Sequence, residues 1–394
     1  MTTKTKRWFQ WLGVNLCRLL LSATFIFSGV VKLIDPRGTQ YKIEDYAIAF
    51  GLTSVTAYLP PLILAVALAL LETYVGFNLF YGIRRRTTTR LAFAMMLVLT
   101  PITLYLALTN AISDCGCFGD ALHLTHWQTF TKNVVLLLAA LAVMLNPRRL
   151  TRFITERNQW LLWLYTMVFA LFLAIYEIRY LPIIDFRPYR IGVDLPKAMM
   201  AEWESDGTEM LYTDFAIQNL ERGDDITFDW LGQPGYKFLL VSPYLERADD
   251  STMDKINSAY DYCLERGYPF LGLTSSIAES IDRWKDLTGS EYDFAQTDGT
   301  VLKTMIRSNP GLLLLHDGTI IQKWSANNLP SLDEQTPPLE ELRIGHMQSQ
   351  SRMRALYRLL LWFLAPILVW TLIDRIWVGR KFYERHKIHE RLRH

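Results

Sequence analysis

Two of the four cysteines in this 394-residue chain are separated by a single glycine, in the stretch Cys115-Gly116-Cys117. Glycine adopts backbone conformations that other residues avoid, so the chain can bend here until the two sulfurs meet or share a ligand. The stretch lies between a long apolar run that ends near Ala111 and another that begins near Phe130. Two cysteines this close at the mouth of an apolar helix predict redox or metal chemistry, depending on the side of the membrane they face.

The redox interpretation has arguments on both sides. On oxidation, Cys115 and Cys117 would close a small strained ring, and strain makes a disulfide easier to reduce. The flanking Asp114 and Asp120 are expected to raise the thiol pKa, which counts against a fast thiolate. The chain holds no second cysteine pair to pass electrons on, so this interpretation requires a redox partner in trans.

Two other interpretations of the same loop stay open. Together with His123 and His126, the cysteines offer four ligands whose types suit zinc or copper, although the spacing matches no closed zinc motif. Alternatively, the pair forms a structural disulfide that fixes a tight loop, with Asp120 or Thr125 capping the next helix. The residues alone do not separate a structural disulfide from a redox pair.

Composition indicates a membrane protein with soluble material attached. The chain is 51% hydrophobic yet 20% charged, and its net charge of +2 argues against a nucleic-acid partner. Six apolar segments are long enough to cross ~30 Å of hydrocarbon, and the first is too long for a cleaved signal peptide. They run approximately over residues 12–34, 60–83, 91–110, 129–145, 160–181 and 356–378.

Positive charge assigns a sidedness to these spans. Lysine and arginine concentrate before the first span, in the second-to-third and fourth-to-fifth connections, and after the sixth span. By the positive-inside rule, both termini are cytoplasmic, and the cysteine loop and the segment 182–357 lie outside, where disulfides persist. Cys17, in the inner half of the first span, is expected to remain a reduced thiol.

Arg18, Lys32 and Glu72 fall inside the first two predicted spans. Counted from the inner ends, Arg18 and Glu72 differ in depth by only ~6 Å, and an unpaired charge there costs several kcal/mol. We therefore expect Arg18 and Glu72 to pair, either as a pin between helices or as part of a proton path or quinone contact. Lys32 is expected to extend to the interface.

The segment from about residue 212 to residue 324 alternates strand-like and helix-like runs. The predicted elements are strands at 236–241 and 269–273, helices at 251–266, 276–287 and 299–307, and a hairpin of 312–315 with 320–324. Ser276 with Glu279 indicates a capping box. This order, with Asn309-Pro310 directly before the hairpin, resembles the thioredoxin fold over about 214–324, which implies a cis bond at that proline.

The thioredoxin resemblance comes without that family's thiols. Its Cys-x-x-Cys should follow the first long strand, where this chain reads Ser-Pro-Tyr-Leu-Glu-Arg over residues 242–247. Thioredoxin chemistry by this domain alone is therefore excluded, and Cys263 is expected to be buried packing. The resemblance then implies a module that binds a protein partner.

The first four spans resemble the DoxX family, and within it the MauE type. The resemblance covers about residues 12–145 and rests on 18–21 (Arg-Leu-Leu-Leu), 25–33, Glu72 with Gly76 and Gly82, and 115–120. It implies a four-helix bundle in a bacterial inner membrane, and the fusion is similar to those of the Bacteroidetes lineage. By analogy with quinone-linked thiol oxidases of similar shape, it also implies extracytoplasmic disulfide chemistry.

These features predict an α-helical membrane bundle, with a four-helix DoxX/MauE-like core and two further transmembrane helices, joined to an α/β thioredoxin-like soluble domain. The predicted divisions are 1–150, 158–182, 183–345, 354–379 and 380–394, the last a basic cytoplasmic tail. The predicted function is extracytoplasmic thiol–disulfide or quinone-linked electron transfer through Cys115 and Cys117. The bilayer and an extracytoplasmic protein are the expected partners, and a quinone is the candidate cofactor. The alternative is a non-catalytic scaffold or assembly factor, which the missing Cys-x-x-Cys favours.

Overall fold

The computed structural model of the chain describes residues 3–112, 115–204, 212, 215–347 and 352–391. It divides into two units, the first comprising Met1–Glu177 and Met353–His394 and the second Ile178–Arg352. The α-helices are α1 (Thr3–Ile34), α2 (Pro36–Ala49), α3 (Thr53–Tyr58), α4 (Pro61–Tyr81), α5 (Arg85–Thr109), α6 (His126–Leu145), α7 (Gln159–Arg179), α8 (Leu195–Glu204), α9 (Thr227–Leu231), α10 (Met253–Arg266), α11 (Ala278–Thr288), α12 (Gly299–Met305) and α13 (Arg352–Arg391).

Within the described residues, six helical segments are long and apolar enough to cross a membrane. They are Thr5–Ile34, Pro61–Tyr81, Arg85–Thr109, His126–Leu145, Glu156–Arg179 and Met353–Lys381. The six predicted spans are therefore confirmed, and the chain is a multi-pass membrane protein. Helix α1 begins earlier than predicted, and this difference matters for the position of Arg18.

Helices α2 and α3, which connect α1 to α4, were not predicted. Helix α2 starts because Asp35 caps it: its side chain accepts a hydrogen bond from the backbone of Gly38 at 2.8 Å, and Pro36 occupies the first helical position. Proline is favoured at that position because its missing N–H has no helical partner there. The connection is thus a folded element that carries side chains toward the cysteine loop.

Helices α1 and α4 approach closely in an antiparallel arrangement. A Cβ atom on Gly29 would lie 2.5 Å from the Thr73 hydroxyl, and one on Gly76 would lie 2.7 Å from the Ile26 nitrogen. Ser22 also donates a hydrogen bond to the Gly76 carbonyl at 2.9 Å. These contacts fix the register, so that Gly29 lies level with Thr73 and Ile26 level with Gly76.

The second unit is built on a mixed sheet that runs β1-β4-β3-β2-β5-β6 through the described residues. Its strands are β1 (Gln218–Asn219), β2 (Tyr236–Ser242), β3 (Phe270–Thr274), β4 (Phe294–Gln296), β5 (Gly311–His316) and β6 (Thr319–Ser325). Strand β2 is parallel to β3 and antiparallel to β5, while β3 and β4 are parallel. Helices α10 and α11 contribute to one core and α8, α9 and α12 to the other. Every residue of β2 is buried, as a central strand covered on both faces requires.

Most predicted elements of this unit are confirmed, with small shifts at their ends. Strands β2 and β3, helices α10, α11 and α12, and the β5–β6 hairpin occupy the expected places, and the Asn309–Pro310 bond is cis. The capping box was wrong. Ile277 is the N-cap of α11 and makes no side-chain cap, because the Ser276 hydroxyl instead accepts from the Leu245 backbone at 3.0 Å.

Candidate functional site

The cysteine loop joins α5 to α6 in the helical unit. The side chain of Thr125 accepts a hydrogen bond from the backbone of Gln128, whose own side chain accepts one from the backbone of Thr125. Of the two cap candidates, Thr125 rather than Asp120 therefore starts α6. Asp114, which was expected to act on the thiols, lies outside the described residues.

The two sulfurs lie side by side. The Sγ atoms of Cys115 and Cys117 are 2.8 Å apart, within contact distance but longer than the ~2.05 Å of a covalent disulfide. Gly116 makes the bend with a φ of 63°, and a Cβ atom there would lie 3.0 Å from Cγ of Lys42. Glycine is therefore required both by the backbone conformation and by the space.

Two hydroxyl groups from neighbouring helices fix the backbone of the loop. The Ser28 hydroxyl on α1 donates to the carbonyl of Cys117 at 2.6 Å, and the Tyr46 hydroxyl on α2 donates to the carbonyl of Cys115 at 2.9 Å. The same Tyr46 oxygen lies 3.6 Å from the Cys115 sulfur. The backbones of both cysteines are thus held by side chains on helices α1 and α2, which fixes the positions of the two sulfurs relative to each other.

The two thiols differ in their surroundings. The hydrogen bond with Cys115 and burial of the sulfur raise the pKa of Cys117 well above its usual value, while the charges of Lys132 and Lys32 lower it in part. Cys117 therefore stays protonated at neutral pH and can donate a hydrogen bond to the Cys115 sulfur. The Cys115 sulfur, in contrast, lies next to both the Cys117 thiol and the Tyr46 hydroxyl.

Below the loop, a buried ion pair joins α1 to α4. The Lys32 ammonium donates to both carboxylate oxygens of Glu72, at 2.7 and 2.8 Å, and to the Ser28 hydroxyl at 2.8 Å. Lys32 and Glu72 are 5% and 3% exposed. The expectation that Lys32 extends to the interface was wrong, since three acceptors hold its ammonium inside the bundle. The sequence signal for this group was the four-residue spacing of Ser28 and Lys32, which places both on one helix face.

Arg18 and Glu72 do not pair, so that expectation was also wrong. The Arg18 guanidinium donates to the Thr151 carbonyl at 2.6 Å and lies 5.1 Å from the centroid of the Phe153 ring. The register of α1 against α4 is the reason. Glu72 lies level with residue 30 of α1, which is twelve residues, or ~18 Å, from Arg18. Both side chains are buried, each in a site of its own.

The histidines do not complete a metal site with the cysteines. No group of three or more His, Cys, Asp or Glu side chains able to hold a metal ion is found among the described residues. His123 is exposed, and His126 is half-buried at the first position of α6. The zinc or copper interpretation of Cys115, Cys117, His123 and His126 is therefore not supported by their geometry.

In the sheet unit, hydroxyl and amide side chains form hydrogen bonds at the end of β2. The Ser242 hydroxyl at the end of β2 donates to the Asn309 side chain at 2.7 Å, and the Asn309 amide donates to the Tyr244 carbonyl at 2.8 Å. Cys263 is 1% exposed in the core, and burial raises its pKa. The prediction that Cys263 is buried packing is confirmed.

The same unit contains a buried cluster of charged side chains that the sequence did not predict. Asp185 accepts from Arg187 at 2.8 Å and from Lys323 at 3.1 Å, and Lys323 also donates to the Tyr189 carbonyl at 2.6 Å. Burial lowers the pKa of Lys323 to about 8 despite the opposing charge of Asp185. The cluster ties the segment before α8 to strand β6. Residues so far apart in the chain give no local signal of such a contact.

Comparison with known proteins finds a match only for part of the helical unit. The model of the family described as methylamine utilisation protein MauE matches residues 6–146, which comprise α1 to α6 and the cysteine loop. No curated protein and no solved structure matches the chain. The family match therefore covers the cysteine loop and the buried Lys32–Glu72 pair but not the sheet unit, and residues 6–146 of this membrane protein are similar to the MauE family.

Proposed function

We propose that the chain is a membrane thiol–disulfide oxidoreductase whose Cys115 and Cys117 exchange electrons with a protein partner outside the cytoplasm. The observation that carries the proposal is the 2.8 Å separation of the two sulfurs, on a loop whose backbone is fixed by Ser28 and Tyr46. Restraint of this kind favours rapid closing and opening of one disulfide. It also favours redox chemistry over metal binding, because no further ligand joins the pair among the described residues.

The exchange is a two-electron reaction. A thiolate of the partner attacks one sulfur of the Cys115–Cys117 disulfide, breaks the S–S bond and forms a mixed disulfide. The second partner thiol then attacks that mixed disulfide and leaves with the partner oxidised. Cys115 and Cys117 have gained the two electrons, and together with two protons they become thiols.

To return to the disulfide, the pair needs a two-electron acceptor, and we propose a membrane quinone, which takes up two electrons and two protons. Tyr46, which contacts Cys115, stacks parallel to Phe50 at 6.1 Å between ring centroids, and Phe50 packs on Tyr105 at 5.2 Å. Phe50 and Tyr105 are 39% and 41% exposed. This aromatic strip extends from a sulfur to the apolar surface of the bundle, and its rings suit stacking with a flat hydrophobic ring.

The proposal includes a sidedness and a role for the sheet unit. The distribution of lysine and arginine supports an inner-membrane protein with both termini in the cytoplasm and the cysteine loop and sheet unit in the periplasm. The parallel β2–α10–β3 unit and the β5–β6 hairpin support a thioredoxin-like fold. With Ser242 in the place of a thiol, that unit would dock the partner rather than react with it.

A scaffold or assembly factor is the second candidate. It is favoured by two observations: Cys263 is buried, and Ser242 rather than a cysteine stands at the end of β2, hydrogen-bonded to Asn309. In that case, Cys115–Cys117 would only fix the loop, and its oxidation state would not respond to conditions.

The two candidates are separated by trapping thiols in living cells with and without inhibition of respiration. The redox proposal predicts that reduced Cys115 and Cys117 accumulate under inhibition and that serine at either position abolishes function. Cys17→Ser is the matched control, since Cys17 lies on α1 away from the loop. A pair that stays oxidised throughout, with function intact in both serine variants, would refute the redox proposal and favour the scaffold.

A further inference from the structure

Lys32 uses all three of its N–H donors inside the bundle. Two go to the carboxylate of Glu72 and one to the Ser28 hydroxyl, which itself donates to the carbonyl of Cys117. A continuous series of hydrogen bonds thus runs from Glu72 through Lys32 and Ser28 to the cysteine loop. The three side chains that form these hydrogen bonds are shielded from solvent: Lys32, Glu72 and Ser28 are each at most 6% exposed.

Helix packing alone does not account for the ion pair. Removing two charges from water costs more than most buried pairs return, and apolar replacements are often as stable. Helices α1 and α4 are already joined by the close approach at Gly29 and Gly76 and by the hydrogen bond from Ser22. The pair lies instead where one of its charges acts on a thiol, because Lys32 is among the cations that act on Cys117.

We propose that Lys32 and Glu72 are a positioning and charge-balancing pair for the Cys115–Cys117 couple. Lys32 holds the loop through Ser28, and Glu72 cancels most of the positive charge that Lys32 would otherwise present to the sulfurs. The inference rests on the proposed redox function, and it names two residues that set the reactivity of the pair without touching the reacting atoms.

This arrangement predicts that removing the charge of Glu72 and removing the charge of Lys32 shift the thiol–thiolate equilibrium of the cysteines in opposite directions. Removing only the Glu72 charge leaves a cation near the sulfurs, which favours the thiolate. Removing only the Lys32 charge leaves an anion, which disfavours it. Removing both restores neutrality. A pair that merely pins two helices would instead weaken the fold in all three cases and leave the thiol chemistry unchanged.

The test is the pH profile of maleimide alkylation at Cys115 and Cys117, measured by mass spectrometry on the reduced full-length protein in lipid nanodiscs. Alkylation of Glu72→Gln at pH 7 is expected to be about tenfold faster than wild type, with its profile moved to lower pH. Lys32→Gln is expected to be about tenfold slower, and the double variant to lie within about threefold of wild type. The charges of Lys42, Asp120 and Lys132 near the loop are the same in all of these variants.

The inference would be overturned if the alkylation profiles of both single variants moved in the same direction. It would also be overturned if neither profile moved while the melting temperature fell. If a single variant does not fold, Lys32→Arg decides. It keeps the charge and is expected within about threefold of wild type, whereas a change beyond tenfold would contradict charge balancing. No partner or quinone is present in this assay, so it is independent of the proposed function. Opposite shifts together with an unresponsive cysteine pair in cells would refute the proposed function and leave the charge-balancing role standing.

Discussion

The Ser28 hydroxyl donates a hydrogen bond to the carbonyl of Cys117 across 89 residues of sequence, and this contact fastens the cysteine loop to α1. Since Ser28 also accepts from Lys32, a single side chain connects the loop to the buried ion pair. The position of the two sulfurs thus depends on α1 as well as on the loop's own residues.

Replacing Ser28 by alanine is expected to loosen the loop. The change leaves the Cys117 carbonyl and one Lys32 donor without partners, at a cost of ~1–3 kcal/mol, and we expect faster alkylation of the reduced cysteines and slower disulfide closure. Ser22→Ala is the matched control, because Ser22 is also buried on α1 and donates to a carbonyl, that of Gly76. Ser22→Ala should lower the melting temperature without changing thiol reactivity. Equal thiol reactivity in the two variants would argue against the anchoring role of Ser28.

Gly116→Ala is expected to separate the sulfurs. The positive φ strains any side chain by ~1–2 kcal/mol, and the new methyl group would press on Lys42. We predict a slower rate of disulfide formation on addition of diamide, followed by gel shift after thiol labelling. Gly13→Ala on α1 serves as control, since nothing lies within 4 Å of its Cβ position and alanine favours helix. If Gly116→Ala closes its disulfide as fast as wild type, the bend does not depend on glycine.

Asp374→Asn is expected to loosen the attachment of α13 within the helical unit. The Asp374 carboxylate accepts from the backbone and hydroxyl of Thr155 at 3.1 and 2.6 Å and from Asn158 at 2.6 Å, just before α7 begins. An amide satisfies these donors less well, so we expect a loss of ~1–3 kcal/mol, measured as the melting temperature in detergent. Arg375→Gln, on the neighbouring exposed residue, should change it little. Equal effects in the two variants would contradict a specific role for Asp374.

Asp185→Asn should weaken the sheet unit and alter its response to acid. Burial alone would raise the pKa of Asp185, but the charges of Arg187 and Lys323 and their hydrogen bonds outweigh it and lower the pKa. The ionised carboxylate therefore stabilises the fold fully above about pH 4, its unfolded value, and that contribution is lost as pH falls toward the lower folded pKa. At neutral pH, the variant leaves two buried cations without their anion, for a loss of ~3 kcal/mol.

Hydrogen exchange of β6 peptides in the full-length protein measures both effects. Wild type should lose protection as the pH falls below about 4, while Asp185→Asn should be less protected at pH 7 and show a flatter acid dependence. Asp282→Asn on the exposed face of α11 is the control and should follow wild type. A variant as well protected as wild type at pH 7 would mean that the cluster does not hold β6.

Local patterns in the sequence sufficed to predict the spans and the central strands. The six apolar runs and the alternation around residues 236–324 depend on neighbours in the chain, and the structure confirms them. The Gly116 bend and the Thr125 cap are likewise local. The short strands β1 and β4 were not predicted, because two or three residues carry too little pattern to distinguish a strand from a loop.

Contacts that depend on register could not be predicted in the same way. Whether Glu72 meets Arg18 or Lys32 is decided by how α1 slides along α4, and the small side chains at Gly29 and Gly76 set that position. Depths counted from approximate span ends placed Arg18 too close to Glu72. The contact of Asp185 with Lys323 joins residues 138 positions apart and follows from the sheet topology alone.

The most direct test of the redox function is electron transfer by the purified full-length protein in lipid nanodiscs, supplied with a dithiol and a water-soluble quinone analogue. The account predicts that reduced Cys115 and Cys117 form one disulfide for each quinone consumed, that the dithiol reduces it again, and that Cys115→Ser or Cys117→Ser stops quinone consumption while Cys17→Ser does not. Thiols that stay reduced in excess quinone, or quinone consumption equal in Cys115→Ser and wild type, would contradict it.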